Sequence, residues 1–77
     1  MINIKKVGND ITRMDFTVPR EKIGYYRFIL ESYEGMGVQT TKRGSSIVSW
    51  SVPNSMMSEA RSLLDGLISH ENLKKNP

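Results

Sequence analysis

His70 is the single histidine of this chain, and there is no cysteine to accompany it. Nucleophilic catalysis needs a Ser, Cys or Thr activated by a neighbouring base. No Ser-His-Asp or Cys-His set can be assembled around one histidine near the C-terminal end. Metal centres need clustered ligands at characteristic spacing, and that spacing is missing too. Asp15, Glu31 and Asp65 stand at positions that the polarity pattern turns toward solvent, where carboxylates read as surface charge. Gly35-Met36-Gly37 is too short for a dinucleotide fingerprint, and no strand precedes it in the required order. No catalytic residue, cofactor or metal is expected, and the chain is not expected to be an enzyme.

The remaining chemistry is that of contact. Tyr25 and Phe28 lie in a helical stretch whose apolar stripe is Ile23, Tyr26, Ile29, Leu30 and Tyr33. At about 100° per residue Phe28 falls roughly 160° from the centre of that stripe, with Tyr25 on its flank. These rings are surplus to the core and read as anchors of a protein-contact surface, with Arg27 and Glu21 at its rim. The bland alternative is that loops or the N-terminal strand cover them. A single exposed aromatic by itself needs no explanation.

The elements that position these residues are legible from a repeat. Asp15-Phe16-Thr17-Val18-Pro19 is echoed 34 positions later by Ser49-Trp50-Ser51-Val52-Pro53. In each copy apolar and polar residues alternate, as in a half-buried strand, and the strand stops at a proline that suits a first helical turn. The pattern predicts strands over 12–18, 38–42 and 47–52, and helices over about 20–33 and 55–69. Gly35 or Gly37 closes the first helix, Asn54 or Ser55 can cap the second, and residues 43–46 form a hairpin turn. The sheet face away from the helices is expected to show Arg13, Asp15, Thr17, Gln39, Thr41, Arg43, Ile47, Ser49 and Ser51.

The repeat also serves as an internal control. It sets Met14 on Val48, Ile23 on Met57, Ile29 on Leu63, Leu30 on Leu64 and Tyr33 on Leu67, apolar on apolar. Arg27 falls on Arg61 and Glu31 on Asp65, polar on polar. Tyr25 and Phe28 break the match, because Glu59 and Ser62 occupy their counterparts. Gly24 falls on Ser58 and Gly66 on Ser32. A helical Gly costs about 1 kcal/mol relative to Ala, so each reads either as a close approach or as one tolerated Gly per helix.

Chain length allows one domain, placed at residues 1–70, with 71–77 as a frayed tail. The order strand–helix–strand–strand–helix points to an α+β ferredoxin-like sandwich, two helices on one face of a mostly antiparallel sheet. The usual last strand is missing, which would leave an open edge. Ile2 and Ile4 alternate with Asn3 and Lys5, and Val7-Gly8-Asn9-Asp10 is a turn signal. Residues 2–7 are therefore expected to form a hairpin with the next strand and fill that edge, the alternative being pairing of the edge across a dimer.

The stretch Val18 to Gly35 resembles the signature of a small bacterial family of uncharacterised function. That pattern is a Val-Pro followed by a helix ending in Phe-Ile-Leu-Glu-x-Tyr-acid-Gly, then a hairpin and a second helix. The resemblance covers about Thr12 to Leu67. It implies a domain with no assigned activity, and it implies that Phe28 belongs to a recurrent pattern.

The net charge of +3 invites a nucleic-acid reading. However, Lys5, Lys6, Lys74 and Lys75 lie near the ends. Between Val7 and Leu73 seven basic residues face eight acids, so the folded body is close to neutral. The expected open face has no aromatic for base stacking. The N-terminal residues lead into no apolar stretch long enough for a signal peptide or a membrane span, so a cytoplasmic protein without a membrane partner is expected. The first expectation is a non-enzymatic interaction module that self-associates or binds another protein. A small-molecule-sensing module of amino-acid-binding type, with Gly35 to Val38 as its loop, stands second. A weak nucleic-acid binder stands third.

Overall fold

Pro19 and Pro53 have nearly the same backbone conformation, φ −56° and ψ 140° against φ −57° and ψ 140°. Each opens a short 3-10 turn, Arg20–Lys22 and Asn54–Met56, which leads into an α-helix, α1 (Ile23–Glu31) or α2 (Met57–Lys75). The sequence repeat is thus a structural one, with both helices entered at equivalent residues. The computed structural model describes residues 2–75. Its strands are β1 (Asn3–Lys6), β2 (Ile11–Thr17), β3 (Val38–Thr41) and β4 (Ile47–Pro53).

The four strands form one sheet in the order β1-β2-β4-β3, with every neighbouring pair antiparallel. With two helices in the order ββαββα, this is the ferredoxin-like arrangement. The N-terminal hairpin fills the vacant edge as expected, pairing Asn3 with Asp15 through to Lys6 with Thr12. Lys5 and Lys6 on this outer strand discourage further edge pairing.

The core lies between the sheet and the helices. Met14, Phe16 and Val18 from the first unit meet Val48, Trp50 and Val52 from the second, with Tyr26 and Leu30 of α1 and Ala60 and Leu64 of α2 above them. Phe16 sets its edge against Trp50 with ring centres 5.4 Å apart. Such aromatic pairs add about 0.5–1.5 kcal/mol beyond their area.

Several expectations are corrected. Gln39 pairs with Trp50 and Thr41 with Val48, so β3 turns Gln39 and Thr41 toward the helices and Val38 and Thr40 outward. Gln39 is 5% exposed and Val38 57%. The reason is chemical. Gln39 Oε1 accepts a hydrogen bond from the buried Trp50 indole N–H at 2.8 Å, and Gln39 Nε2 donates to the Ile23 carbonyl at 3.0 Å. A buried polar group without such partners costs about 1–3 kcal/mol, which outweighs the preference of one valine. Arg43 lies beyond β3, in the turn closed by the Ser45 N–H donating to the Lys42 carbonyl.

Asn54 is not a helix cap, and the turn it opens has no side-chain cap. Its Oδ1 accepts from the Thr12 hydroxyl at 2.6 Å, its Nδ2 donates to the Asn9 carbonyl at 3.0 Å, and its backbone N–H donates to the Asp10 carbonyl at 2.8 Å. One residue thereby fastens the β1–β2 turn to the start of the second helical unit. At the end of α1, Ser32 Oγ donates to the Ile29 carbonyl, and Gly35 takes φ +74°. The helix stops at Glu31, so Tyr33 leaves the apolar stripe and is 48% exposed. Beyond the expected end at Ser69, α2 continues to Lys75, which covers much of the stretch expected to fray; residues 76 and 77 lie outside the described ones.

Neither helical glycine marks a close approach. A Cβ added at Gly24 or Gly66 would meet nothing within 4 Å. Gly66→Ala is therefore expected to stabilise the protein by about 0.5–1 kcal/mol. Thermal unfolding followed by circular dichroism would show this as a midpoint raised by about 3–6 °C. An unchanged or lowered midpoint would mean that the open space beside Gly66 is used.

Candidate protein-contact surface

α1 buries Tyr26 and Leu30 against the core and half-buries Ile23 and Ile29. The opposite side of the same helix therefore points to solvent. Phe28 lies there with 69% of its surface exposed, and Tyr25 with 46%. Phe28 is thus left largely uncovered, and Tyr25 is about half covered. Arg27 and Glu21 are exposed as well, Arg27 on α1 and Glu21 in the 3-10 turn that precedes it. The four residues singled out from the sequence thus lie on one short helical segment and its entry turn.

The second repeat unit gives the comparison its force. Glu59 and Ser62, the counterparts of Tyr25 and Phe28, are exposed and polar. Arg61 Nε lies 3.0 Å from Asp65 Oδ1, an ion pair along α2. Among the described residues, the counterparts Arg27 and Glu31 form no ion pair. On α2 Arg61 and Asp65 engage each other, whereas α1 offers aromatic rings beside an Arg27 and a Glu31 that do not.

The first turn of α1 is held by its neighbours. Lys22 Nζ lies 3.7 Å from Glu71 Oε1 of α2 and 5.7 Å from the centre of the Tyr25 ring. Tyr25 also sets its edge against Tyr26, ring centres 6.2 Å apart. Burial first, then Glu71 and Tyr25, push the Tyr26 hydroxyl above the ordinary tyrosine value, so it is a neutral phenol at physiological pH. Tyr25 is thereby tethered on one side, which lowers the entropy it would lose in a contact.

The residues that could do other chemistry do not converge. His70 is exposed on α2, and among the described residues no three His, Asp or Glu side chains are grouped to hold a metal ion. Asp15 accepts a hydrogen bond from the Ser49 hydroxyl at 2.7 Å and lies 3.1 Å from Arg13 Nε on the open sheet face. Glu31 and Asp65 are exposed on separate helices. The open face carries no aromatic residue on its strands. Among the described residues no helix is long and apolar enough to cross a membrane.

One feature was not legible. A shallow groove of about 480 Å³ at one end of the open face is lined by Ile11, Gly35, Gly37, Val38, Ser51 and Pro53. It depends on Val38 facing outward, which the β3 pattern alone does not reveal. Gly35 to Val38 do form part of a concave surface, but its lining holds no charged side chain.

Residues 16–70 match a family described as a domain of unknown function, DUF4911. The chain belongs to this family. The DUF4911 segment begins within β2 and ends within α2, so it contains both Pro–helix units, while β1 precedes it. No curated protein and no solved structure matches the chain.

Proposed function

We propose that this member of the DUF4911 family is a non-enzymatic protein-interaction module that pairs with a second copy of itself through the outer face of α1. The observation that carries the reading is Phe28, 69% exposed at a position where the equivalent helix has Ser62. Packing explains the positions where the two units agree. It does not explain a phenyl ring in water, whose full burial is worth about 1.5–3 kcal/mol. Two-fold pairing buries each such ring in both copies at once. The nearly neutral body raises little charge repulsion between copies.

Association costs on the order of 4–15 kcal/mol in lost rigid-body freedom, so two or four rings support a weak dimer rather than an obligate one. Phe28→Asp tests the reading. The variant is expected to fold as the wild type does, by circular dichroism, because Phe28 makes no core contact. Its self-association, followed by light scattering against concentration, is expected to weaken at least about thirtyfold, as for a central interface residue. A folded variant that associates like the wild type would remove the proposal.

The open-face groove favours a second reading, a ligand-sensing module. An amino acid would find no counter-ion for its ammonium or carboxylate among the residues lining it. That reading therefore calls for an uncharged apolar ligand, and a thermal-shift screen with such compounds separates it from the first.

A further inference from the structure

We infer that the two copies pair α1 against α1 in antiparallel fashion about a two-fold axis at the level of Ile29, with Arg27 of each copy bound to Glu31 of the other. This rests on the reading of the α1 face as a self-contact and adds its geometry. At about 100° per residue, Glu31 and Arg27 lie roughly 60° and 100° to one side of Phe28, and Tyr25 roughly 60° to the other. In a two-fold contact the same patch serves both copies. When the paired helices run antiparallel, each flank meets the same flank of the other copy. A residue that precedes the axis then meets the one that follows it by the same number of places.

The exposed residues of α1 obey this rule. Arg27 and Glu31 share a flank and stand two residues before and after Ile29, so each pair brings opposite charges together, twice. Tyr25, on the other flank, is about half exposed. Phe28 lies beside the axis and meets Phe28 of the second copy. Gly24 and Ser32, one turn on either side of Phe28, are small and exposed and let the helices approach. A parallel arrangement would instead level Arg27 with Arg27 and Glu31 with Glu31.

The internal control supports an external use for these charges. On α2 the equivalent Arg61 and Asp65 engage each other at 3.0 Å. Among the described residues Arg27 and Glu31 have no such engagement, although their spacing is the same. With α1 only nine residues long, the contact falls at the low end of interface areas, below about 1,200 Å². Self-association is accordingly expected at micromolar concentrations or above.

The test is a charge exchange on the full chain, read by sedimentation equilibrium at concentrations up to millimolar. Arg27→Glu and Glu31→Arg each turn both interchain pairs into like-charge pairs. Each alone is expected to weaken self-association about tenfold. An equimolar mixture restores both pairs, and so does the double variant carrying both changes. Both are expected to associate within about threefold of the wild type. Recovery in the mixture identifies the partner as a second copy in this arrangement. If Phe28→Asp abolishes association but the mixture is no tighter than its components, the geometry is overturned and the contact surface stands. If the wild type is monomeric throughout, both are overturned.

Discussion

Gly37→Ala is expected to destabilise the protein by about 3–5 kcal/mol. Gly37 follows the α1 stop and leads into β3 with φ +149°, a conformation L side chains rarely adopt. A Cβ there would lie 2.5 Å from the Ser51 carbonyl oxygen and 3.1 Å from Val52 Cγ2. The first neighbour is backbone within a paired strand and cannot yield without opening the β3–β4 ladder. A domain of this size has only about 4–11 kcal/mol in total, so the loss removes a large share of it. Gly35→Ala is the control. Gly35 also has a positive φ, +74°, but its Cβ would meet open space, so only about 1–2 kcal/mol is expected. Urea unfolding of both variants decides the matter: a Gly37→Ala cost no greater than that of Gly35→Ala would show that β4 gives way.

Gln39→Met is the second large effect, at about 2–3 kcal/mol. Methionine keeps the length and apolar stem of glutamine but cannot accept the Trp50 indole N–H or donate to the Ile23 carbonyl. Trp50 is fully buried, so no water replaces the lost acceptor. The energetics should be coupled. Trp50→Phe leaves Gln39 Oε1 without its donor and opens space in the core. In the double variant no indole N–H remains to be satisfied, so the combined cost should fall short of the sum by about 1–2 kcal/mol. A double-mutant cycle in urea measures this directly. Strict additivity would mean that the bond contributes nothing beyond packing.

These two residues also mark where sequence reasoning ran short. Along β2 and β4 the alternation of Met14 and Phe16, or Val48, Trp50 and Val52, with polar residues has strong contrast, and both strands face as the pattern says. Val38-Gln39-Thr40-Thr41 has little contrast, and its one clearly apolar residue lies outward. A partner eleven residues away decided that strand. Asn54 is a good cap by type, but its side chain serves Thr12 and the Asn9 carbonyl, a bond across 42 and 45 residues that no local rule contains.

The contact face was more legible because it needs only a helix angle and a comparison. Phe28 opposes the apolar stripe by periodicity, and the repeat supplies Ser62 as a reference. Tyr33 departs from the periodic stripe because Ser32 and Gly35 end the helix at Glu31, and a wheel angle has no meaning past that point. The groove at Ile11, Val38 and Pro53 inherits the β3 register and was invisible for the same reason.

The amino-acid sequence alone determined the element order, the two Val-Pro helix entries, the hairpin that fills the sheet edge and the outward position of Tyr25 and Phe28. All of these follow from local periodicity, turn chemistry and an internal duplication. Only the tertiary structure decided which way β3 faces, what Asn54 holds, and that Arg27 and Glu31 lack the ion pair their counterparts make. Each of those is set by the hydrogen-bonding needs of groups brought together by folding, and such needs leave no periodic trace in the chain.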